Sequence, residues 1–265
     1  MSHKNRLDIE LLNRGLVSSR SQAENIIKLG FVSVNKKAVT KPGFFVGQTA
    51  EIKITKEPFV SRAGLKLASV TDIFKLSFKN KIVLDVGSST GGFTDYALKN
   101  GAKKVFAVDV GTNQLHPSLR TNKKIELHEQ TNILEVRSSK LDLRKNIKKD
   151  TMVNGPTSMV YITELPDIIL IDVSFVSLRT ILPHIARHLA SKNTQIVAML
   201  KPQFESGAGL KNKGVIKNDS IRRAIIKDFE AWAKQYFIIR QKADSAVAGQ
   251  KGNQEKFYLL QILDK

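Results

Sequence analysis

A glycine-rich turn near the middle of the chain has the residue types and spacing of a ligand-binding loop. The apolar run 82–84 predicts a strand buried on both faces of a parallel sheet, and Asp85 closes it. The turn that follows holds three glycines, Gly87, Gly91 and Gly92. Glycine lets a ligand approach the main chain closely, and the helix predicted from Phe93 presents free N–H groups at its start. Strand, turn and helix together predict the first unit of a nucleotide-binding α/β fold.

The spacing of these glycines argues against a nicotinamide dinucleotide. A G-x-G-x-x-G motif that begins at Gly87 requires glycine at position 89, where the chain has Ser89. A strand that ends in D-x-G-x-x-x-G-G instead resembles the S-adenosylmethionine loop of methyltransferases. Other nucleotide ligands, or a purely structural turn, are the alternatives that this motif leaves open.

A second acid is placed to bind a nucleoside. The run 104–108 predicts the next strand, which ends at Asp109, about 24 residues after Asp85. A carboxylate at this position can accept hydrogen bonds from both hydroxyls of a ribose. Methyltransferases and dehydrogenases share this arrangement, so Asp109 indicates a nucleoside without identifying it.

The composition favours a polyanionic partner. Lys and Arg number 43 against 24 Asp and Glu, which gives a formal net charge of +19 and a pI near 10.0. This excess favours RNA or DNA over a membrane surface, although a generally basic proteome is an alternative. The chain has no cysteine, which excludes a disulfide-linked partner and thiolate metal sites. No run approaches the roughly 18 apolar residues of a membrane helix and the N-terminus lacks a signal-peptide core, so we expect a cytoplasmic protein without a membrane partner.

The remaining elements predict a doubly wound, Rossmann-like sheet over residues 81–265. After the two strands described above, further strands are predicted at 125–128, 167–172, 195–200, 237–240 and 255–262. Helices are predicted at 179–189 and 220–236, and the last two strands are expected to form an antiparallel hairpin beside an otherwise parallel sheet. Residues 137–163 interrupt this alternation and are interpreted as a surface insertion, for which a solvated loop is favoured over an RNA-binding arm.

Residues 1–57 form a separate, small α+β unit, and residues 58–80 form the linker and a first helix. Two helices and two strands are predicted in the small unit, at 6–12, 21–29, 31–34 and 51–54. A unit of this size has little hydrophobic core, so binding is a more natural purpose for it than catalysis.

The small unit resembles a known RNA-binding module. RLDIELLNRGLVSSRSQAENIIKLGFVSVN, followed by KPGFFV, is similar to the S4 RNA-binding domain. In that family the two helices and the following loop present basic side chains to structured RNA. The resemblance implies an RNA-binding set that comprises Arg6, Arg14, Arg20, Lys28, Lys36 and Lys37, to which we add Arg62 from the linker. A solvated surface charge is the alternative for each of them.

Two lysines and two acids carry a second resemblance. In a doubly wound sheet Asp172 and Lys201 end adjacent strands at the nucleotide edge. Lys66 comes from the helix before the first strand, and Glu255 from the last strand. The order Lys, Asp, Lys, Glu is that of the tetrad of FtsJ-like RNA ribose 2′-O-methyltransferases. With SRAGLKL, LDVGSSTGGFTD, IDVSFVSL and KPQFE, the chain is similar to the TlyA family from about Arg6 to Leu260; members of that family, often labelled haemolysin, act as ribosomal RNA 2′-O-methyltransferases.

The resemblance implies a role for each member of the tetrad. A ribose hydroxyl is a poor nucleophile at neutral pH, whereas a methyl sulfonium is already an activated electrophile. The protein must therefore take up the hydroxyl proton and hold oxygen, methyl carbon and sulfur in line. Lysine can act as such a base only where burial or a second cation lowers its pKa. We assign Lys201 as the base, Lys66 as the neighbouring cation, Asp172 as the group that orients Lys201, and Glu255 as the group that holds Lys66; ordinary salt bridges are the alternative.

The cofactor implied by the resemblance is S-adenosylmethionine. The expected cofactor-binding residues are Asp85, Gly87, Ser88, Thr90, Gly91, Gly92, Asp109, Asn132 and Asp172. Asp109 is assigned to the ribose, while the adenine partner is left open among residues 129–132. His184 and His188 lie four residues apart, but no third ligand accompanies them, so no metal site is expected.

The sequence therefore predicts an S-adenosylmethionine-dependent 2′-O-methyltransferase that acts on a cytidine of large-subunit ribosomal RNA, with small-subunit ribosomal RNA left open as a second substrate. A non-catalytic RNA-binding protein is one alternative, which the complete tetrad argues against. A membrane-active haemolysin is the other, which the lack of an apolar amphipathic helix in the sequence argues against.

Overall fold

The described part of the chain forms two units, each built around its own sheet. The computed structural model describes residues 4–17, 19–28, 30–54, 59–144, 159–205, 215–216, 218–249 and 252–263. In chain order the elements of the first unit are β1 (Lys4–Arg6), α1 (Leu7–Asn13), α2 (Arg20–Lys28), β2 (Val32–Val34), β3 (Lys37–Ala38), β4 (Phe45–Gly47) and β5 (Ile52–Ile54). Among these residues, β3, β2 and β5 form one sheet in that order, and β1 pairs with β4 in another.

Both predicted helices and both predicted strands of the first unit are present. Gly15, at φ 64°, follows the end of α1, and the Ser19 hydroxyl caps α2 by accepting the Gln22 N–H at 3.2 Å. The sequence analysis missed β1, β3 and β4, because strands of two or three residues are too short to show an alternating pattern.

The second unit contains the large sheet and the helices that cover it. Its elements are α3 (Arg62–Thr71), β6 (Ile82–Val86), α4 (Gly92–Lys99), β7 (Lys104–Val108), α5 (Pro117–Arg120), β8 (Ile125–His128), β9 (Val136–Ser138), α6 (Ser139–Arg144), β10 (Val160–Ile162), β11 (Ile168–Ile171), α7 (Leu178–His188), β12 (Gln195–Leu200), α8 (Pro202–Glu205), α9 (Asp219–Ala233), β13 (Phe237–Asp244) and β14 (Lys256–Ile262).

The sheet has the predicted doubly wound architecture. Within the described residues its order is β13-β14-β12-β11-β6-β7-β8, seven strands in all. The strands from β12 to β8 are parallel, whereas β14 is antiparallel to both β12 and β13. This confirms the mostly parallel sheet with an antiparallel terminal hairpin. The strand order changes direction at β6, because β7 and β8 lie on one side of it and β11 and β12 on the other. This switch brings loops from both halves of the sheet to one crevice at the carboxyl ends of the strands, where α/β folds bind ligands.

Apolar side chains fill both faces of this sheet. Leu84 and Ile169 belong to a cluster that α7 and α9 cover, whereas Val83 and Leu170 belong to a cluster that α3 and α4 cover. The runs of Ile, Val and Leu in the central strands are continuous because each strand must present an apolar side chain to both layers.

Three sequence predictions need correction. Asp85 does not close its strand, since β6 continues to Val86 and the side chain lies buried inside the sheet. The segment 137–163 is not irregular throughout, because β9 pairs in parallel with β10 and α6 follows β9; its residues 145–158 lie outside the described residues. The strand predicted at 237–240 extends to Asp244, because its pairing with β14 continues beyond a bulge.

The two units share a hydrophobic contact. Leu65 from α3 and Val247 from the turn before β14 are buried in the same cluster as the core of the first unit. The Arg62 guanidinium donates to the Ala248 carbonyl at 2.9 Å and ties the same helix to the same turn. The first unit therefore rests on the two segments that carry Lys66 and Glu255.

Truncation of Leu65 tests this contact. Leu65 is 6% exposed, so Leu65→Ala should remove about 2–5 kcal/mol from the free energy of unfolding, because it leaves a cavity between the units. Denaturant unfolding measures the loss. As the matched control, Leu12→Ala changes a leucine that is 40% exposed and should cost about 0.5 kcal/mol or less. Equal losses in the two variants would contradict the contact.

Candidate active site

Two adjoining cavities lie at the carboxyl ends of the central strands, within the described part of the molecule. The larger has a volume of about 530 Å³ and the smaller about 150 Å³. Gly87, Ser89, Asp172 and Ser174 line both of them, so the cavities form one crevice with two compartments. The larger volume lies in the range of roughly 300–1,000 Å³ that is typical of small-molecule sites.

The glycine turn brings β6 and β11 together at this crevice. Gly87 has φ 79°, and a Cβ atom added to it would lie 2.7 Å from the Asp172 carbonyl oxygen. Any other residue would therefore push Asp172 away and strain the backbone. Gly92 has a different purpose, since an added Cβ would lie 2.8 Å from the Gly64 nitrogen on α3. Gly91 and Gly92, which we predicted to bind the cofactor, contact protein and are absent from the lining of both cavities.

Asp85 is a buried acid at the base of the smaller cavity. One carboxylate oxygen accepts the Thr94 hydroxyl at 2.7 Å. Burial, and to a smaller extent the nearby charges of Asp172 and Asp109, raise the pKa of Asp85 to about 7. Among the described residues, neither Asp85 Oδ1 nor the buried Ser88 hydroxyl has a hydrogen-bond partner. This compartment therefore suits a ligand that carries its own polar or cationic groups.

Asp109 lines the larger cavity from the end of β7. Its carboxylate accepts the N–H groups of Ser89 at 2.8 Å and Gly111 at 2.7 Å. A carboxylate has roughly four acceptor positions, so both oxygens retain capacity for two ligand hydroxyls. The two backbone contacts fix the orientation that such a pair requires.

The structure narrows the candidates for an adenine partner. Thr131 and Asn132 line the larger cavity, together with the apolar side chains of Ile133 and Leu134. Glu129 instead accepts the Gln114 N–H at 2.9 Å, and it also pairs with Arg120. Glu129 therefore holds the wall of the cavity, and Asn132 orients a short 3₁₀ turn by accepting the Leu134 N–H at 3.0 Å.

The four residues of the predicted tetrad form two ion pairs beside the smaller cavity. Lys201 Nζ lies 2.7 Å from Asp172 Oδ1, and Lys66 Nζ lies 2.6 Å from Glu255 Oε2. All four side chains are largely buried. These pairings match the sequence prediction, in which Asp172 orients Lys201 and Glu255 holds Lys66; the catalytic roles themselves stay predictions.

Strand register places the two ion pairs side by side. Leu200 is paired with Lys256, so the next residues on these antiparallel strands are Lys201 and Glu255. On α3, Ala63 lies one turn before Lys66 and lines the smaller cavity, as Lys201 does. Burial raises the pKa of Glu255 above its usual value despite the opposing charge of Lys66, and the charges of Asp172 and Lys201 also act on it. The Lys66–Glu255 pair thus lies next to the Lys201–Asp172 pair, and of the two lysines Lys201 lines the smaller cavity whereas Lys66 lines neither cavity.

Three residues that the sequence analysis did not select support this crevice. The Ser174 hydroxyl accepts a hydrogen bond from Lys201 Nζ at 2.8 Å, in addition to the ion pair of Lys201 with Asp172. Phe175 is 91% exposed at the cavity mouth, with φ 67° and its ring 5.2 Å from that of Phe204. Glu205 is buried and accepts the Ser177 hydroxyl at 2.6 Å and the Leu178 N–H at 2.7 Å. Glu205 thereby joins the chain after Lys201 to the chain after Asp172, a contact that only the fold reveals.

The predicted RNA-binding residues differ in their surroundings. Lys28, Lys36 and Lys37 are exposed, and Asn35 and Lys36 form the turn between β2 and β3 with φ values of 49° and 67°. Arg6 and Arg20 are both paired with buried Asp8.

Arg14 holds the first unit together. Its guanidinium donates to Glu10, to the Ala50 carbonyl at 2.7 Å and to the Gln48 carbonyl at 2.9 Å. Arg62 similarly contacts the Ala248 carbonyl.

His184 contacts the Val136 carbonyl at 2.8 Å, and no cluster of three metal-ligating side chains occurs among the described residues.

Comparison with known families decides the classification. Residues 59–262 match the FtsJ-like methyltransferase family, and residues 5–52 match the S4 domain. The chain belongs to the FtsJ-like methyltransferase family. This confirms both resemblances stated from the sequence, and the protein is a methyltransferase with an N-terminal S4 domain.

Individual relatives cover nearly the whole chain. Hemolysin A of Brachyspira hyodysenteriae is 38% identical over 258 residues, which are 94% of this chain and 97% of that protein. The 16S/23S rRNA (cytidine-2′-O)-methyltransferase TlyA of Mycobacterium tuberculosis is 33% identical over 227 residues, 84% of this chain and 76% of that protein. A solved structure described as a hemolysin from Streptococcus thermophilus superposes with a TM-score of 0.66 at 34% identity, covering 100% of this chain and 90% of that chain. Within the described residues, the S4–FtsJ-like chain has no helix with the length and apolar character required to span a membrane.

The buried position of Asp85 predicts a pH-dependent stability. The unfolded chain loses the Asp85 proton near pH 4, whereas the folded protein keeps it to about pH 7. Unfolding between these values releases a proton, so this carboxyl makes stability fall as pH rises from about 4 to about 7 and adds no slope above that. The loss is of order 4 kcal/mol, at about 1.4 kcal/mol per pH unit. Asp85→Asn should remove it, so its melting temperature relative to wild type should rise between pH 5 and pH 8, roughly.

Thermal melts across this pH range measure the difference. The exposed carboxylate of Asp228 provides the control, because Asp228→Asn should follow the wild-type profile. A constant offset between Asp85→Asn and wild type at every pH would contradict a raised pKa.

The contacts of Glu205 predict a local effect on the crevice. Glu205→Ala removes the acceptor of the Ser177 hydroxyl and the Leu178 N–H, so the loop before α7 should open more often. Amide hydrogen exchange of residues 173–179 should become about tenfold faster or more, while β11 stays protected. Asp228→Ala, which removes the other carboxylate near Arg179, should leave exchange in this loop unchanged. Unchanged exchange in Glu205→Ala would show that Glu205 does not restrain the loop.

Proposed function

We propose that this protein transfers the methyl group of S-adenosylmethionine to a ribose 2′-hydroxyl of ribosomal RNA, with a cytidine as the modified nucleotide. The single observation that supports this most strongly is the pair of buried lysine–carboxylate contacts beside a two-compartment crevice. The TlyA proteins of Campylobacter jejuni and Mycobacterium tuberculosis, both similar to this chain, are named rRNA (cytidine-2′-O)-methyltransferases. A ribosomal RNA substrate also agrees with the cytoplasmic location expected from the sequence.

The crevice fits the two halves of the cofactor. The larger compartment suits the adenosine, with Asp109 for the ribose hydroxyls and Asn132 beside an apolar wall for the base. The smaller compartment suits the methionine part, because Ser88 and Asp85 offer polar atoms that have no partner within the described residues. When bound, the cofactor supplies an activated methyl group, so the protein need only prepare and position the ribose oxygen.

Lys201, once its own ammonium proton has been lost to solvent, is the group that we assign to take up the proton of that hydroxyl. Its Nζ forms an ion pair with Asp172 and donates a hydrogen bond to the Ser174 hydroxyl, which fixes the direction of the amine toward the smaller compartment. Lys66 supplies a positive charge on the other side, where it stabilises the developing negative charge on the ribose oxygen. Glu255 holds Lys66 in that position through its 2.6 Å contact. Orientation of the reacting groups contributes the remainder of the rate enhancement.

The cavity mouth suits a nucleotide of RNA. Phe175 presents its exposed ring beside Ser174 and Asp172, where a base can stack on it. A formal net charge of +19 and an S4 domain supply attraction to the phosphate backbone. No observation favours the alternative of a non-catalytic RNA-binding protein. Such a protein would not require the two lysine–carboxylate pairs that lie beside the crevice.

Substitution of Lys201 tests the proposed reaction. Lys201→Ala should lower methyl transfer to ribosomal RNA by about 100-fold or more, because a general base contributes roughly 10²–10⁴-fold. Binding of S-adenosylmethionine, measured by calorimetry, should change little, because the cofactor contacts proposed for Asp109, Asn132, Ser88 and Asp85 do not involve Lys201. In cells that carry only this variant, mapping of ribosomal RNA should show the loss of a 2′-O-methyl group.

A lysine just before the amino end of the central strand β6 serves as the control. Lys81 is paired with Asp167 at 3.2 Å, so Lys81→Ala also breaks a lysine–aspartate contact and should leave turnover unchanged. Turnover of Lys201→Ala within about tenfold of wild type would reject Lys201 as the base. If wild type itself transfers no methyl group to ribosomal RNA, the proposed substrate is wrong.

A further inference from the structure

The first unit carries an exposed aromatic ring next to a pair of arginines that share one buried carboxylate. Phe45, at the start of β4, is 62% exposed. Arg6 and Arg20 both contact Asp8, whose side chain is fully buried. Such a combination of an aromatic surface and fixed cations is the arrangement by which proteins bind unpaired nucleotides.

Asp8 determines where the two arginines point. Arg6 donates from Nε and Nη2 to the two oxygens of Asp8 at 3.0 and 3.1 Å, and Arg20 donates from Nε at 2.8 Å. Burial opposes the charge of Asp8, but the two guanidinium groups outweigh it and hold the pKa of this carboxyl below its usual value. Glu24 also lies 3.4 Å from Arg20 Nε, so the four side chains are balanced in charge, and both arginines remain about half exposed. The pair is therefore fixed in place with cationic surface turned to solvent.

The register of the small sheet puts Phe45 on the same face as Arg6. Arg6 is the direct partner of Phe45 in the antiparallel pairing of β1 with β4, and directly opposite residues present their side chains to the same side. The Arg6 guanidinium lies over Gly43, since a Cβ added there would be 3.5 Å from Arg6 Nη1. Exposed Lys41 belongs to the same turn. Phe45 and Arg6 thus lie side by side on one face of the β1–β4 pair, with Lys41 in the adjoining turn.

We propose that Phe45, with Arg6 and Arg20 held by Asp8, forms a binding site for a single unpaired nucleotide of RNA, here called the Phe45 platform. The base stacks on the Phe45 ring and the adjoining phosphate contacts the two guanidinium groups. This site lies on the S4 domain, apart from the crevice that holds Lys201, and it rests on the proposed RNA substrate. Its function is to select substrates in which a loop or bulge lies at a fixed distance from the modified nucleotide.

The position of Phe45 separates this role from folding. Phe45 contributes little to the core of the first unit, in which the buried apolar side chain of β4 is its neighbour Val46. Phe45→Leu keeps an apolar residue with β-strand compatibility and removes only the aromatic face. A loss of RNA affinity in this variant therefore reports on stacking.

The experiment measures binding of full-length protein to two synthetic RNAs by fluorescence anisotropy. One is a hairpin with an unpaired loop, and the other is the same stem as a blunt duplex. Phe45→Leu should bind the hairpin roughly 5- to 100-fold more weakly, with the duplex affinity and the salt dependence of binding unchanged. Arg20→Gln should weaken both complexes and lower the salt slope by about one contact.

Tyr236→Leu provides the matched control, because Tyr236 is an exposed aromatic residue just before β13, in the second unit and outside the S4 domain. It should bind both RNAs as wild type does. If Phe45→Leu binds the hairpin as tightly as wild type, or loses affinity equally for the duplex, the Phe45 platform is wrong. Methyl transfer is measured separately, so a wild type that binds the hairpin through Phe45 but transfers no methyl group would overturn the proposed function and leave this site standing.

Discussion

The contact between Lys201 and Asp172 is the interaction on which the arrangement of the crevice depends. Both residues directly follow parallel, hydrogen-bonded strands, so the sheet brings their side chains together, and Lys201 Nζ lies 2.7 Å from Asp172 Oδ1. Removal of one partner would leave an uncompensated charge in a largely buried place, which is strongly unfavourable. Ser174 accepts a hydrogen bond from Lys201, and Glu205 ties the loops beyond both strands together. Two carboxylates with raised pKa values, Asp85 and Glu255, surround it. The crevice is thus a low-dielectric, charge-balanced place in which a cationic ligand and a polar substrate can be bound together.

The second ion pair depends on how the two units contact each other. Leu65 and Lys66 are adjacent on α3, and the first is buried against the S4 domain while the second contacts Glu255. Val247 is likewise buried against the S4 domain, while Glu255 contacts Lys66, and these two residues lie at the two ends of the turn before β14. The apolar contact and the polar contact therefore use the same helix and the same turn. An RNA-binding unit that shifted on this surface would move one of the two lysines relative to the other.

Several of the basic side chains contact other groups of the protein and stabilise the fold, so they are not all available to bind RNA. Arg14 directs its guanidinium to backbone carbonyls, and Arg62 contacts the turn near Val247. Arg6 and Arg20 share a buried carboxylate and still present cationic surface. Lysine is not equivalent to these arginines, because the planar guanidinium can contact both oxygens of a carboxylate at once and keeps further donors on its other edge. The count of basic residues thus overstates how many are available to a polyanion.

The sequence by itself determined the sheet, the S4 domain and the membership of the tetrad. Long apolar runs such as Ile168–Ile171 have one stable environment, the centre of a parallel sheet, and the D-x-G-x-x-x-G-G turn requires glycine at position 87 because Asp172 approaches it there. Only the tertiary structure decided that Asp85 lies inside its strand, that Gly92 packs closely against α3, and that Glu205 and Ser174 hold the crevice together. These facts depend on contacts between segments far apart in the chain, and short strands such as β1 and β4, which place Phe45 beside Arg6, leave no periodic pattern to detect. The spacing of apolar residues along one segment predicts which of its faces is buried. The partners of a polar side chain, in contrast, are fixed only when distant segments meet.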